Sequence, residues 1–578
     1  MILITLFTLI IYFIFKNRWE SQRRQIIVDA IKKRKPLTRN SAVTRDRFTA
    51  KKIPKDLDAI VVGSGISGLT TAALMSKFGK KVLVLEGHYI AGGCTHTFQD
   101  KGFEFDTGLH YIGKSKQCEE ILDVITKEKV HWDRMGREDE KYIYDEIVLE
   151  GEKYQLRAGI SFWMNDMCKY FPKKKRVLKR YLHIVQKVAS MKTWFISKLF
   201  KSDSISGFIN YWFGWEFIRI ANMSVYDALK EITNDEKLIA VLCGQFGDYN
   251  LPPKRASFFI HCCIVNHYLE GGYYPRGGPG VIAENIIPVI EEAGGRVLVS
   301  KKVSKILVEK NKAIGVRMEN GVEIRAKTII SAAGVNNTYR KLLDSSLEDH
   351  IKLNNLGFSN SLLYLFVGLD QTSETLGLRS VNIWDLPGKN YEEIIDNFNK
   401  DQENSPMVSF ISSPSAKDSL WSERYPGKST AVVMSPIKWE AFCKWNGNKD
   451  QDYKDKKALL EKRMLEILYK HYPKTRDHVV YTSLGTPLTY NTYIGSHFGE
   501  VYGASSSKSR FRINDFLKPY TKIENLYLTG QDIVSIGYTG AMTAGYLTAN
   551  VCLGYNIINL AQGEDCVKDI KAVEKAFC

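Results

Sequence analysis

Residues 56–93 read DLDAIVVGSGISGLTTAALMSKFGKKVLVLEGHYIAGG. Residues 59–62 are a short β-branched run, which predicts a buried parallel strand. Gly63, Gly65 and Gly68 follow as G-x-G-x-x-G. Gly63 allows the tight turn out of the strand, Gly65 lets a pyrophosphate approach the backbone, and Gly68 lets the next helix pack on the sheet. Residues 67–78 have helical composition, and Gly79 ends them as a C-cap. Residues 81–85 predict a second buried strand. Glu86 follows about twenty residues past the loop, where a carboxylate accepts hydrogen bonds from a ribose. A lone glycine pattern carries little information. Strand, loop, helix, strand and acid in that order make a dinucleotide-binding unit.

Gly92 and Gly93 form a second diglycine shortly after the acid. NAD does not require it, whereas the longer diphosphate and ribitol of FAD run past the second strand. With these residues the chain resembles the FAD-dependent amine-oxidase and phytoene-desaturase superfamily. The resemblance implies an α/β fold: a Rossmann-like FAD-binding domain of the GxGxxG type with an interleaved α+β substrate domain. The FAD-binding domain is expected over residues 56–130, 270–345 and 520–560, and the substrate domain over 131–269 and 346–519. The resemblance further implies main-chain contact of Val303 with adenine. In 523–550, IENLYLTGQDIVSIGYTGAMTAGYLTAN, Gly530, Asp532 and Thr539 are expected at the ribitol, pyrophosphate and flavin. A helix starting after Gly540 would aim its positive end at the flavin.

Narrower motifs lie elsewhere. CGQFGDYNLPP (243–253), HCCIVNHYLEGGYYPRGG (261–278), GTPLTYNTYIG (485–495) and GEVYG (499–503) resemble stretches of retinol saturases, with carotenoid isomerases as neighbours. FEFDTGLHYIG (103–113) resembles the segment that leads this superfamily's chain towards the isoalloxazine. The implied activity is flavin-dependent saturation of a polyene double bond, the 13,14 bond of all-trans-retinol, on an apolar retinoid or carotenoid substrate. Tyr249, His267 and His110 are the candidate catalytic residues. The alternatives are a carotenoid or prenyl-lipid isomerase or desaturase, and a non-redox prenyl-lipid binder of the Rab-escort type. The full FAD set argues against the last. No second strand-coupled G-x-G-x-x-G appears, so the electron donor is either NAD(P)H bound without its own domain or a partner reductase.

The remaining sequence sets the surroundings. Fourteen Lys/Arg against three acids over residues 16–55 account for +11 of the net +17. They follow the apolar run MILITLFTLIIYFIF at 1–15. The pair predicts an N-terminal apolar helix (1–20) as anchor or signal, a basic linker (21–55), membrane lipid as a partner and an endoplasmic reticulum location. No nucleic-acid motif is present. Ten cysteines are scattered without C-x-x-C, which indicates no metal site and no disulfide scaffold. Residues 150–237 read as mainly helical and aromatic, suited to core, an apolar tunnel or a bilayer surface.

Overall fold

The computed structural model describes residues 40–113, 115–347, 350–513 and 516–554. The apolar helix expected over 1–20 and the linker up to residue 39 lie outside the described residues. Residues 40–55 are not a free linker. They lie against the nucleotide-binding lobe: Asp46 pairs with Arg296 at 2.9 Å, Phe48 N donates to Val299 O, and Asn40 N donates to Glu284.

Five parallel strands form the first sheet, in the order Arg296–Leu298, Val82–Leu85, Ala59–Val62, Thr328–Ser331 and Leu526–Leu528. Alternation in the β-branched runs divides their side chains between two faces. Ala59, Val61, Val82 and Val84 pack on the layer containing helices Ile66–Lys77, Gly280–Glu292 and Gly537–Leu553. Ile60, Val62, Leu83 and Leu85 face the opposite core, shared with a three-stranded sheet of Val303–Glu309, Lys312–Met318 and Glu323–Arg325. Coverage on both sides explains why these strands are almost free of polar residues.

Two glycines make the close packing possible. A Cβ on Gly68 would stand 2.2 Å from Gly63 O, and one on Gly545 would stand 2.4 Å from Ser67 O. The helix Gly537–Leu553 therefore crosses Ile66–Lys77 closely, and Thr71 Oγ1 donates to Gly545 O at 3.0 Å. It begins at Gly537, four residues before the expected start after Gly540.

The second sheet has seven strands, ordered Val479–Gly485, Ser361–Leu369, Ser429–Ile437, Ser409–Ser412, Asn382–Leu386, Ile143–Leu149 and Glu152–Arg157. All neighbours are antiparallel except Asn382–Leu386 with Ile143–Leu149. The segment read as helical from residue 150 thus opens with a strand, because Glu150 and Gly151 have left-handed φ of 51° and 85° and turn the chain back as a hairpin. Short helices follow from Ile160–Tyr170 to Val225–Lys230. A small antiparallel sheet of Ile112–Gly113, Gly272–Pro275 and Trp132–Arg134 ties the lobes together. It sets the end of the FDTG segment against the YYPRGG segment.

Candidate functional site

A cleft of about 1130 Å³ runs between the lobes. One end is formed by Gly63, Gly65 and Glu86, the middle by Val303 and the Gly530–Asp532 turn, and the far end by Tyr268, Tyr364, Trp384 and Phe410. An ordinary ligand pocket has a volume of ~300–1000 Å³, so this cleft has room for a dinucleotide and an apolar substrate together.

The phosphate end is built from main chain. Helices Ile66–Lys77 and Gly537–Leu553 both open onto the cleft, and neither first turn is capped by a side chain. Their first amides and positive dipole ends suit a diphosphate. A Cβ on Gly65 would meet nothing within 4 Å, and one on Gly93 would come within 2.8 Å of Gly65 Cα. The two glycine loops therefore touch while leaving the cleft side bare. Glu86 locks the first loop: Oε2 accepts from Ser64 N at 2.8 Å and Ser64 Oγ at 2.7 Å, and Oε1 accepts from His88 N at 2.8 Å. Gly92 (φ 120°) lies behind this wall, its N–H donating to Ser64 Oγ at 3.1 Å. Gly68 is likewise a packing glycine rather than a lining one. Thr539 lines the cleft in the first turn of its helix.

Asp532 lines the cleft, but both carboxylate oxygens are engaged. They accept from Val335 N at 2.8 Å and Ala504 N at 2.9 Å. Its work is to pin three loops around the cleft. Buried Arg510 supports the same turn by donating to the carbonyls of Gln531 and Asp532. Nothing in the spacing of Arg510 signals this role. The buried lining atoms His110 Nδ1, Tyr490 Oη and Tyr538 Oη have no partner among the described residues. Unpaired polar atoms in such positions are those a polar ligand would satisfy. Bare glycine loops, two open helix ends, a carboxylate and unpaired polar atoms together fit FAD.

The three catalytic candidates separate. His110 and His267 line the cleft, and Tyr249 does not. Tyr249 is buried on the far side of its turn, with its hydroxyl 3.3 Å from His261 Nδ1. The turn Phe246–Tyr249 directs Asp248 into the cleft instead, since neighbouring side chains of a tight turn point apart. His267 Nε2 accepts from Gly113 N at 2.7 Å. Burial lowers its pKa to about 4. Burial, reinforced by Lys417, lowers that of His110 to about 3. Both rings are neutral at physiological pH.

Below the aromatic end lies a polar floor that the sequence did not reveal. Asp145, fully buried, accepts from Gln245 Nε2 at 2.7 Å, Asn382 Nδ2 at 2.8 Å and Trp384 Nε1 at 3.1 Å. Tyr111 Oη stands 3.0 Å from Asp145 Oδ2 and 2.8 Å from Asp248 Oδ2. Its ring stacks on Tyr268 at 4.4 Å. Buried Lys417 donates to His110 O at 2.9 Å and to Asn382 Oδ1 and Ser412 Oγ, both at 2.6 Å. Burial lowers the pKa of Lys417 against the pull of the nearby acids, and raises that of Asp106, which accepts from Tyr274 Oη at 2.8 Å. No metal-binding cluster of His, Cys, Asp or Glu occurs among the described residues.

Comparison with known proteins agrees with this geometry. Residues 61–127 match the model of an NAD(P)-binding Rossmann-like domain, and residues 200–553 that of the flavin containing amine oxidoreductases. The chain is 37% identical to the all-trans-retinol 13,14-reductase of Danio rerio, covering 96% of each chain. It is 30% identical to a Danio rerio protein described as an inactive all-trans-retinol 13,14-reductase, covering 96% of this chain and 94% of that one. Among solved structures, an oxidoreductase from Methanosarcina mazei superposes with a TM-score of 0.57 at 17% identity, covering 85% of this chain and 99% of the other. That last likeness speaks to fold alone.

Proposed function

The chain belongs to the flavin containing amine oxidoreductases, and within them to the all-trans-retinol 13,14-reductase family, and we propose that it saturates the 13,14 double bond of all-trans-retinol or a closely related polyene. The observation that carries the proposal is the cleft itself. A dinucleotide cradle and an aromatic chamber are continuous in one cavity of about 1130 Å³. A polyene has almost no polar group to grip, so its site must be long, apolar and aromatic.

When bound, FAD supplies hydride-transfer chemistry. The loop at Gly63 and Gly65, with Gly93, would take the diphosphate, and Gly68 would let the helix behind it pack close. Glu86 would take the ribose, Val303 the adenine through its main chain, and Gly530, Asp532 and Thr539 would border the remainder. The aromatic end excludes water and aligns the chain of double bonds, so that one bond alone is presented for reaction. NAD(P)H, or a partner reductase, renews the reducing equivalents.

The proposal includes an endoplasmic reticulum membrane as the source of substrate. The apolar run at 1–15 and its basic flank support it. So does an exposed aromatic cluster, Phe208, Tyr211, Trp212, Phe213 and Trp215, on helices Asp203–Phe213 and Trp215–Ala221. The neighbouring helix Lys175–Ala189 carries five Lys/Arg and no acid, and is joined to this cluster by Lys187–Glu216 at 2.6 Å. Among the described residues no helix is long and apolar enough to cross a membrane.

The test is purification with a flavin spectrum, then anaerobic incubation of the reduced protein with all-trans-retinol. A product heavier by two hydrogens supports the proposal. Unchanged mass with an altered spectrum means isomerisation, and no change in any polyene refutes it.

A further inference from the structure

We infer that Asp248 is the acid that delivers the proton in double-bond reduction, with Asp145 as the positioning residue that keeps it protonated and Tyr111 as the hydroxyl that links the two; the inference rests on the reading of the site as a polyene reductase. The argument is a count of hydrogens. Tyr111 Oη lies 3.0 Å from Asp145 Oδ2 and 2.8 Å from Asp248 Oδ2, yet it carries one hydrogen. If both acids were ionised, one carboxylate oxygen would face the hydroxyl lone pairs. One carboxyl therefore holds a proton. Asp145 already accepts from three N–H groups that can only donate, those of Gln245, Asn382 and Trp384. Among the described residues, Tyr111 is the one side-chain hydrogen-bond partner of Asp248. The proton belongs on Asp248, and the chain of donation runs from Asp248 to Tyr111 to Asp145.

Charge and position agree with the count. Burial, then the nearby Asp145, push the Asp248 pKa well above the carboxylate range. Asp145, below the floor, does not line the cleft, whereas Asp248 does. The titratable groups around Asp248 are Tyr111, Asp145, Tyr144, Tyr268, Tyr502 and Lys417. The other lining groups are weaker acids: burial raises the Tyr490 and Tyr538 hydroxyls further above their usual range, and both lining histidines are neutral rings. The Tyr364 hydroxyl donates to Asp106 O at 2.6 Å, so His110 Nε2 must be the donor in its 3.2 Å contact with that oxygen, which leaves Nδ1 bare. His267 accepts at Nε2, so its hydrogen sits on Nδ1 of a neutral ring, which is a far weaker acid than a carboxyl.

The step balances. The Asp248 O–H turns from Tyr111 Oη towards the substrate, its bond breaks with the electron pair staying on the carboxylate, and a C–H bond forms at one carbon of the double bond. The adjacent carbon receives a hydride equivalent from reduced flavin, which is oxidised. Tyr111 then turns its hydrogen from Asp145 to the new Asp248 carboxylate, while Asp145 keeps its three N–H donors. Solvent returns the proton before the next turnover.

The experiment uses full-length, FAD-loaded protein. Infrared difference spectra at neutral pH should contain a protonated-carboxyl band that is missing in Asp248→Asn. In anaerobic single turnovers, that variant should consume all-trans-retinol ~10²–10⁴-fold more slowly, with FAD content unchanged, and Asp248→Glu should recover part of the rate. Tyr111→Phe should move the basic limb of the pH–rate profile upward, because it removes the donor that steadies the Asp248 carboxylate. A wild-type rate in Asp248→Asn, an unchanged infrared band, or an unmoved limb in Tyr111→Phe overturns the assignment. Should Asp248→Asn lose FAD, the Tyr111→Phe profile and the wild-type band decide. A wild type that carries the band but reduces no polyene overturns the functional reading and leaves the shared proton standing, so the two failures are distinguishable.

Discussion

Glu86→Ala separates two jobs of one carboxylate. In the protein without cofactor, Glu86 accepts from Ser64 N, Ser64 Oγ and His88 N at 2.7–2.8 Å. The side chain is only half-buried, so water replaces much of what alanine removes. The loss of apoprotein stability should be ~1 kcal/mol. With FAD bound, the same carboxylate would face a ribose hydroxyl that has little access to water. A charge-assisted hydrogen bond there contributes ~1.5–3 kcal/mol, or ~10- to 150-fold in Kd. The affinity effect should therefore exceed the stability effect. Fluorescence titration of apoprotein with FAD measures the first, and thermal unfolding of the apoprotein the second. Glu86→Gln, which keeps one acceptor, should fall between wild type and alanine in both. A Kd within about threefold of wild type, accompanied by a lowered unfolding temperature, would refute the ribose contact and leave Glu86 as a loop brace.

Four further outcomes follow from the geometry. Gly68→Ala puts a methyl 2.2 Å from Gly63 O, a main-chain atom that cannot swing aside, so the yield of FAD-loaded protein should collapse; normal yield and colour would show that the helix can shift. Tyr249→Phe should cost ~1 kcal/mol of stability and leave turnover unchanged, because its hydroxyl meets His261 and not the cleft; a rate loss above tenfold would return Tyr249 to the site. Burial lowers the His261 pKa to about 3, so the unfolded chain binds the extra proton below its ordinary ~6.5, and wild type loses that stabilisation as pH falls from about 6.5 towards 3. The unfolding temperature of His261→Gln relative to wild type should thus rise between pH 7 and pH 5, and a constant difference would contradict the buried neutral ring. Replacing Tyr211, Trp212 and Trp215, exposed at 72%, 61% and 62%, by alanine should weaken flotation with vesicles containing anionic lipid, and added salt should weaken what remains; unchanged flotation would place membrane contact elsewhere.

The nucleotide-binding lobe was legible because its function is carried by local pattern. A β-branched strand, three glycines and an acid at fixed spacing encode one βαβ unit, and the observed helix Ile66–Lys77 departs from the expected 67–78 by a single residue at each end. The reading of residues 150–237 as mainly helical missed only the opening strand Glu152–Arg157, because a turn built on Glu150–Gly151 has no proline or Asn-Gly signature. Tyr249 was singled out beside Asp248, and periodicity cannot choose between adjacent residues of a tight turn.

The polar floor is of another kind. Asp145 lies in a strand, Tyr111 after the FDTG segment, and Lys417 at the end of a four-residue helix more than two hundred and fifty positions further on. Each alone reads as an ordinary residue of its type, and a lysine after SSPSA reads as surface. Their meaning comes from sheet order, which lays Ile143–Leu149 beside Asn382–Leu386 and brings Asn382 into register with Asp145. That pairing supplies Asp145 with the N–H donors of Asn382 and Trp384 from the neighbouring strand, and Gln245 adds one from a turn. Only with those donors can one carboxylate stay ionised in a buried floor, and only then does the neighbouring acid in the cleft have a reason to keep its proton. The sheet topology that builds the substrate lobe and the protonation state of Asp248 are thus one arrangement, and a substitution at Asn382, which touches neither cleft nor cofactor, should disturb the chemistry through Asp145.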